Sequence, residues 1–124
     1  MVSLKAVQAS NACIPNTLPS GLVAIFVGGT SGIGEYTLKE FARLARQPRI
    51  YNIGRSQQAS DRIASECKKL NVDAQYTFIQ ADVSLIRNVD AVCEQIQAKE
   101  KAVNVLFLTV GTLVRGVSKY STMA

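Results

Sequence analysis

Six apolar residues, Leu22-Val23-Ala24-Ile25-Phe26-Val27, run without a break into Gly28-Gly29-Thr30-Ser31-Gly32-Ile33-Gly34. Hydrophobicity that is continuous rather than alternating belongs to a strand covered on both faces, as in a parallel sheet. Parallel strands need long return connections, usually helical. The sequence after the glycines supplies one: Ile33, Leu38, Phe41, Leu44 and Ala45 fall near one stripe of a helix over residues 32–47, ended by Pro48.

The alternation then repeats. A short strand is predicted over residues 49–53, and a helix over 57–70 carries Ile63, Ala64, Cys67 and Leu70 on one side. A third strand follows at 74–80, then a helix over 85–100 with Val89, Val92, Cys93 and Ile96 in register and Ser84 as its expected N-cap. Residues 103–109 form a fourth apolar strand. This order predicts an α/β fold: a Rossmann-type parallel sheet with flanking helices, strand order 3-2-1-4, truncated after the fourth strand. The expected organisation is a leader over 1–20, a Rossmann half over 21–114 and an irregular tail over 115–124. In the leader, Val2, Leu4, Ala6 and Val7 suit a short helix, with Pro15 and Pro19 expected to break regular structure.

Composition excludes several functions. The net charge of +5 comes from 14 Lys and Arg against 9 Asp and Glu. These basic residues are scattered, with few aromatics between them, which argues for solvated helix faces and against nucleic-acid binding. Cys13, Cys67 and Cys93 are widely spaced and the chain has no histidine, so neither a metal site nor a disulfide framework is expected. No segment approaches the ~20 apolar residues of a membrane helix, and no apolar stretch follows Lys5 as a secretory signal requires. A cytoplasmic protein with no membrane partner is the expectation.

The glycine loop carries the chemistry. It leaves a strand and opens a helix, the setting in which such a loop holds the pyrophosphate of NAD(P). Gly28 would permit the tight turn, Gly32 would let backbone approach the phosphates, and Gly34 would let the helix sit close on the sheet. Helix N-terminal N–H groups supply donors and partial positive charge. Gly28, Thr30, Ser31, Gly32, Ile33 and Gly34 are therefore the expected cofactor-binding loop. At the end of the second strand, Asn52-Ile53-Gly54-Arg55-Ser56 lacks the carboxylate that receives the ribose hydroxyls of NAD. Arg55 can pair with a 2′-phosphate and Ser56 can donate to it, which favours NADP over NAD. Asp82 after the third strand has two readings: acceptor for the adenine amino group with Val83 against the ring, or a turn residue before the next helix.

The run from Val27 to Gly34 resembles the TGxxxGIG loop of the short-chain dehydrogenase/reductase family, with Val27 where threonine is usual. Asn52-Ile53-Gly54-Arg55 resembles its NADP-preferring strand end, and Asp82-Val83 its adenine-binding pair. Met1-Val2-Ser3-Leu4 with Gln8-Ala9-Ser10-Asn11 is similar to fungal members of secondary metabolism. The likeness covers residues 22–114. Where the family has Asn-Asn-Ala-Gly, this chain has Leu108-Thr109-Val110-Gly111; only Gly111 matches, and it joins the expected cofactor contacts.

The resemblance also implies chemistry that these residues lack. The family uses a serine after strand five and a Tyr-x-x-x-Lys pair, in which tyrosine is the general acid/base and lysine lowers its pKa. No lysine stands four positions after Tyr36, Tyr51 or Tyr76, and Tyr120 lies at the end of the chain. No catalytic residue is expected here, and a carbonyl or alcohol substrate only in a full-length relative. The alternative is a non-catalytic dinucleotide-binding or interaction protein derived from the family. A sheet ending at the fourth strand would expose an apolar edge open to association.

Overall fold

The computed structural model describes residues 1–109; the expected contact Gly111 and tail 115–124 lie outside them. The elements are α1 (Leu4–Ala12), α2 (Ile14–Thr17), β1 (Val23–Val27), α3 (Gly32–Leu44), β2 (Arg49–Gly54), α4 (Gln57–Leu70), β3 (Gln75–Gln80), α5 (Ile86–Lys99) and β4 (Val105–Leu108). The strands form one parallel sheet in the order β3-β2-β1-β4, the order that the helical crossovers predict. Its register sets Phe26 beside Asn52 and Phe107, and Asn52 beside Phe78.

Side chains alternate across the sheet, so each strand feeds two cores. Ala24, Phe26 and Ile50 face α3 and α4, where they pack with Leu38, Ala42, Ile63 and Cys67. Phe26 meets Phe41 and Phe107 at ring-centroid distances of 6.1 and 5.6 Å. Val23, Tyr51, Ile53 and Ile79 face the other way, against Val92 and Ile96 of α5. Each large side chain so buried contributes about 1.5–3 kcal/mol. On β4, Val105 and Phe107 pack on the first core, whereas Leu106 and Leu108 are each 61% exposed.

Polar contacts fix the helices. Glu35 of α3 pairs with Arg62 of α4 at 2.7 Å and with Lys39, which also pairs with Glu66. Asn71, at the end of α4, donates from Nδ2 to the carbonyls of Ala42 (3.0 Å) and Ala45 (2.9 Å), capping α3. On the other face of the sheet, Glu100 pairs with Arg49 and accepts from the Tyr51 hydroxyl at 2.8 Å. That contact ties the end of α5 to the start of β2.

Three local expectations change. Helix α3 ends at Leu44 rather than 47, because its C-cap Ala45 is already extended (ψ 148), and Gln47 at φ +47 then turns the chain into Pro48. Ser84 does not cap α5; Leu85 occupies the N-cap, since Asp82 takes both the Ser84 N–H (3.0 Å) and hydroxyl (2.7 Å). Pro15 does not break structure but stands in the first turn of α2, where its missing N–H costs nothing. Helix α1 buries no residue; the segment after it is held by Arg46, which donates to the Leu18 carbonyl at 2.9 Å. Among the described residues no helix is long and apolar enough to cross a membrane.

The Arg62 guanidinium, then the Lys39 ammonium, lower the Glu35 pKa from 4.5 to about 2. Its folded value lies below its unfolded one, so its contribution to stability is complete above pH 4.5 and is lost as pH falls toward 2. Thermal melts of Glu35→Gln are expected to show a shallower acid decline than wild type across that window. Equal slopes would mean that the pair does not hold α3 to α4.

Candidate functional site

The sequence-predicted residues within the described region gather at the carboxyl ends of β1, β2 and β3 and in the turns that follow. In open parallel α/β sheets this is the edge where ligands bind. The turn out of β1 is the most constrained part. Gly28 has φ +96, and a Cβ on it would lie 2.6 Å from Thr109 Oγ1. Thr109 closes the turn from β4: its N–H donates to the Val27 carbonyl at 2.9 Å and its hydroxyl to the Gly28 carbonyl at 3.1 Å. Gly34 sits directly on that turn, with a Cβ there falling 2.2 Å from the Gly28 carbonyl oxygen. Gly32 is different. It has φ +57 with nothing within 4 Å of its Cβ position, so glycine there answers to conformation and leaves open space above.

Ser31 is the N-cap of α3 in extended conformation, and its side chain makes no capping bond. The Glu35 N–H reaches the Ser31 carbonyl at 3.3 Å, but the N–H groups of Gly32, Ile33 and Gly34 meet no acceptor among the described residues. Three such donors at the positive end of a 13-residue helix are groups that can hold an anion. Ile33 is 76% exposed beside them. Thr30 leans the other way, its Cγ2 lying 2.9 Å from a Cβ placed on Gly54.

At the end of β2, Arg55 is exposed, and Gln80 of β3 donates to its carbonyl at 3.1 Å. Ser56 caps α4: its Oγ accepts the Ala59 N–H at 3.2 Å, leaving the hydroxyl proton as its remaining donor. Of the two readings of Asp82, this geometry displays the turn. Its carboxylate accepts from Ser84, whose hydrogen bonds, with a smaller effect of the Arg55 charge, hold its pKa below the ordinary value. Val83 packs against the α5-side core.

Two features escape glycine spacing. Gly29 has ordinary backbone geometry, yet its Cβ would meet Asn52 Oδ1 at 2.6 Å, Leu38 at 3.1 Å and Phe26 at 3.1 Å. Asn52 is fully buried, and its Nδ2 donates to the Tyr76 hydroxyl oxygen at 2.8 Å and to the Gly29 carbonyl at 3.3 Å. The only hint in the sequence is an amide inside an otherwise apolar strand.

Gly34→Ala forces a methyl into backbone that has no room to yield, whereas Gly32→Ala incurs only left-handed strain of about 1–2 kcal/mol. Urea unfolding is expected to show the larger loss for Gly34→Ala. Equal losses would contradict the seating of α3 on the β1 turn.

With this geometry in place, similarity to known proteins becomes informative. The fungal "Oxidoreductase AN1596" of Emericella nidulans is 51% identical over 116 residues, covering 94% of this chain and 34% of the relative. "Short-chain dehydrogenase/reductase SAT2" of Stachybotrys chartarum is 35% identical over 105 residues, covering 81% of this chain and 29% of the relative. The chain thus spans about a third of the length of the curated relatives it matches. Among solved structures, L-sorbose reductase from Gluconobacter frateurii, complexed with NADPH and L-sorbose, superposes with a TM-score of 0.66 at 27% identity, covering 75% of this chain and 34% of that one. Residues 22–123 match the short chain dehydrogenase family model, and the chain belongs to the short-chain dehydrogenase family.

Proposed function

We propose that this chain supplies the dinucleotide-binding half of an NADP(H)-dependent oxidoreductase acting on a small carbonyl or alcohol. The observation that carries the reading is the set of N–H groups on Gly32, Ile33 and Gly34 that meet no acceptor among the described residues, opening at the end of β1. A pyrophosphate matches that cradle in charge and in its need for donors. In this reading Gly28 shapes the turn, and Thr30, Ser31 and Ile33 line the approach. The adenosine end lies toward Asp82 and Val83; Gly111, kept as a cofactor contact, lies outside the described residues. The nicotinamide would supply or accept hydride when bound; the residues described here bind and orient the cofactor.

The preference for NADP over NAD rests on residues 52–56, which offer the cationic Arg55 and the Ser56 hydroxyl but no carboxylate. Relatives support the cofactor class, since the similar L-sorbose reductase is complexed with NADPH. No Tyr-x-x-x-Lys occurs in the 124 residues. We therefore assign these residues binding without turnover, and place the chemistry in the remainder of a family-length protein. A cytoplasmic setting and a role in fungal secondary metabolism complete the reading. One observation favours a second use as an interaction module: Leu106 and Leu108 present an apolar strip on β4, which another chain could cover.

A charge-assisted contact to phosphate contributes about 1.5–3 kcal/mol, or roughly 10- to 100-fold in affinity. By calorimetry, Arg55→Ala is expected to weaken NADPH binding at least tenfold while changing NADH binding less than threefold. Equal loss for both ligands would refute the assignment of Arg55 to the 2′-phosphate.

A further inference from the structure

Beneath the glycine loop lies a line of polar groups that the cofactor contacts do not use. Asn52 is 0% exposed in the middle of β2, surrounded by the apolar core of α3 and α4. Its Nδ2 donates upward to the Gly29 carbonyl at 3.3 Å and sideways to the Tyr76 hydroxyl oxygen at 2.8 Å. The Tyr76 hydroxyl in turn lies 2.9 Å from Ser60 Oγ, and Ser60 is 1% exposed. Ser60 stands one turn into α4, and its N–H bonds the carbonyl of Ser56, the residue that caps that helix beside Arg55. A continuous path thus runs from the pyrophosphate loop through β2 and β3 to the helix start beside Arg55.

Asn52 is an expensive choice for this place. Its Oδ1 is buried without a partner among the described residues, a condition that an apolar side chain of similar size would avoid. Gly29 is shaped to the same amide, since any Cβ there would strike Oδ1 at 2.6 Å. The pair fits a positional role. Holding the Gly29 carbonyl down toward the sheet keeps its negative oxygen from the side on which the Gly32–Gly34 donors open.

We infer that Asn52 is a positioning residue for the cofactor: with Tyr76 and Ser60 it fixes the glycine loop relative to the Arg55 end of the site. The inference rests on the dinucleotide reading given above. It requires that loss of the amide harm ligands that span both parts and spare those that touch only one. NADPH spans both; 2′-AMP carries the 2′-phosphate but no pyrophosphate.

The test is titration of the full chain with each ligand, beside thermal melts. Asn52→Leu is expected to melt cooperatively, to bind NADPH at least tenfold more weakly, and to keep 2′-AMP affinity within twofold. Tyr76→Phe is expected to show the same split with at least a threefold effect on NADPH, and it decides the matter by that criterion if Asn52→Leu does not fold. Unchanged NADPH affinity in the folded variants, or equal loss of both ligands, would overturn the inference alone. Failure of the wild-type chain to bind NADPH would instead overturn the dinucleotide reading on which it stands.

Discussion

The rest of the site depends on one close contact: the first turn of α3 resting on the carbonyl of Gly28. Only a glycine at position 34 allows it, because a methyl would fall 2.2 Å from that oxygen. The contact places the N–H groups of Gly32–Gly34, without acceptors among the described residues, over the end of β1. Everything around it maintains this seating. Leu38 and Ala42 anchor the helix in the core, Glu35, Lys39, Arg62 and Glu66 hold it to α4, and Asn71 satisfies its last carbonyls. Thr109 braces the turn from the other side.

Polar groups within the body are concentrated at the two ends of the sheet, and the ends differ in kind. At the amino end, Glu100 caps α5, where a negative charge meets the negative end of the helix dipole. Arg49 and the Tyr51 hydroxyl offset that conflict, and burial followed by the Glu100 hydrogen bond pushes the Tyr51 pKa up. That cluster fastens a helix, although Arg49 Nε stays buried without a hydrogen-bond partner among the described residues. At the carboxyl end, loop donors without acceptors among the described residues and an exposed Arg55 stand open to solvent. Unmet hydrogen-bonding capacity beside a strand terminus is what a polar ligand can exploit.

Much of this was legible in the residues themselves. Continuous hydrophobicity in Leu22–Val27, helical stripes between strands and the glycine loop were enough for the order of strands and crossover helices and for the sheet order. Helix boundaries were less legible, because they turn on competition for single acceptors. Ser84 looks like a cap until Asp82 claims it, and Ala45 continues the stripe of α3 although its own backbone is extended and ends the helix. Gly29 and Asn52 were not legible. Their partnership joins residues 23 positions apart, and an amide within an apolar strand is all that a single sequence displays of it.

The central claim is that α3's N-terminal donors and the start of α4 bind one dinucleotide together. Amide NMR of the labelled chain titrated with NADPH tests it directly. The expected result is a saturable shift of the Gly28–Gly34 and Arg55–Ser56 resonances with a common dissociation constant, while α1 remains unmoved. Shifts confined to other regions, or none at saturating NADPH, would contradict the account.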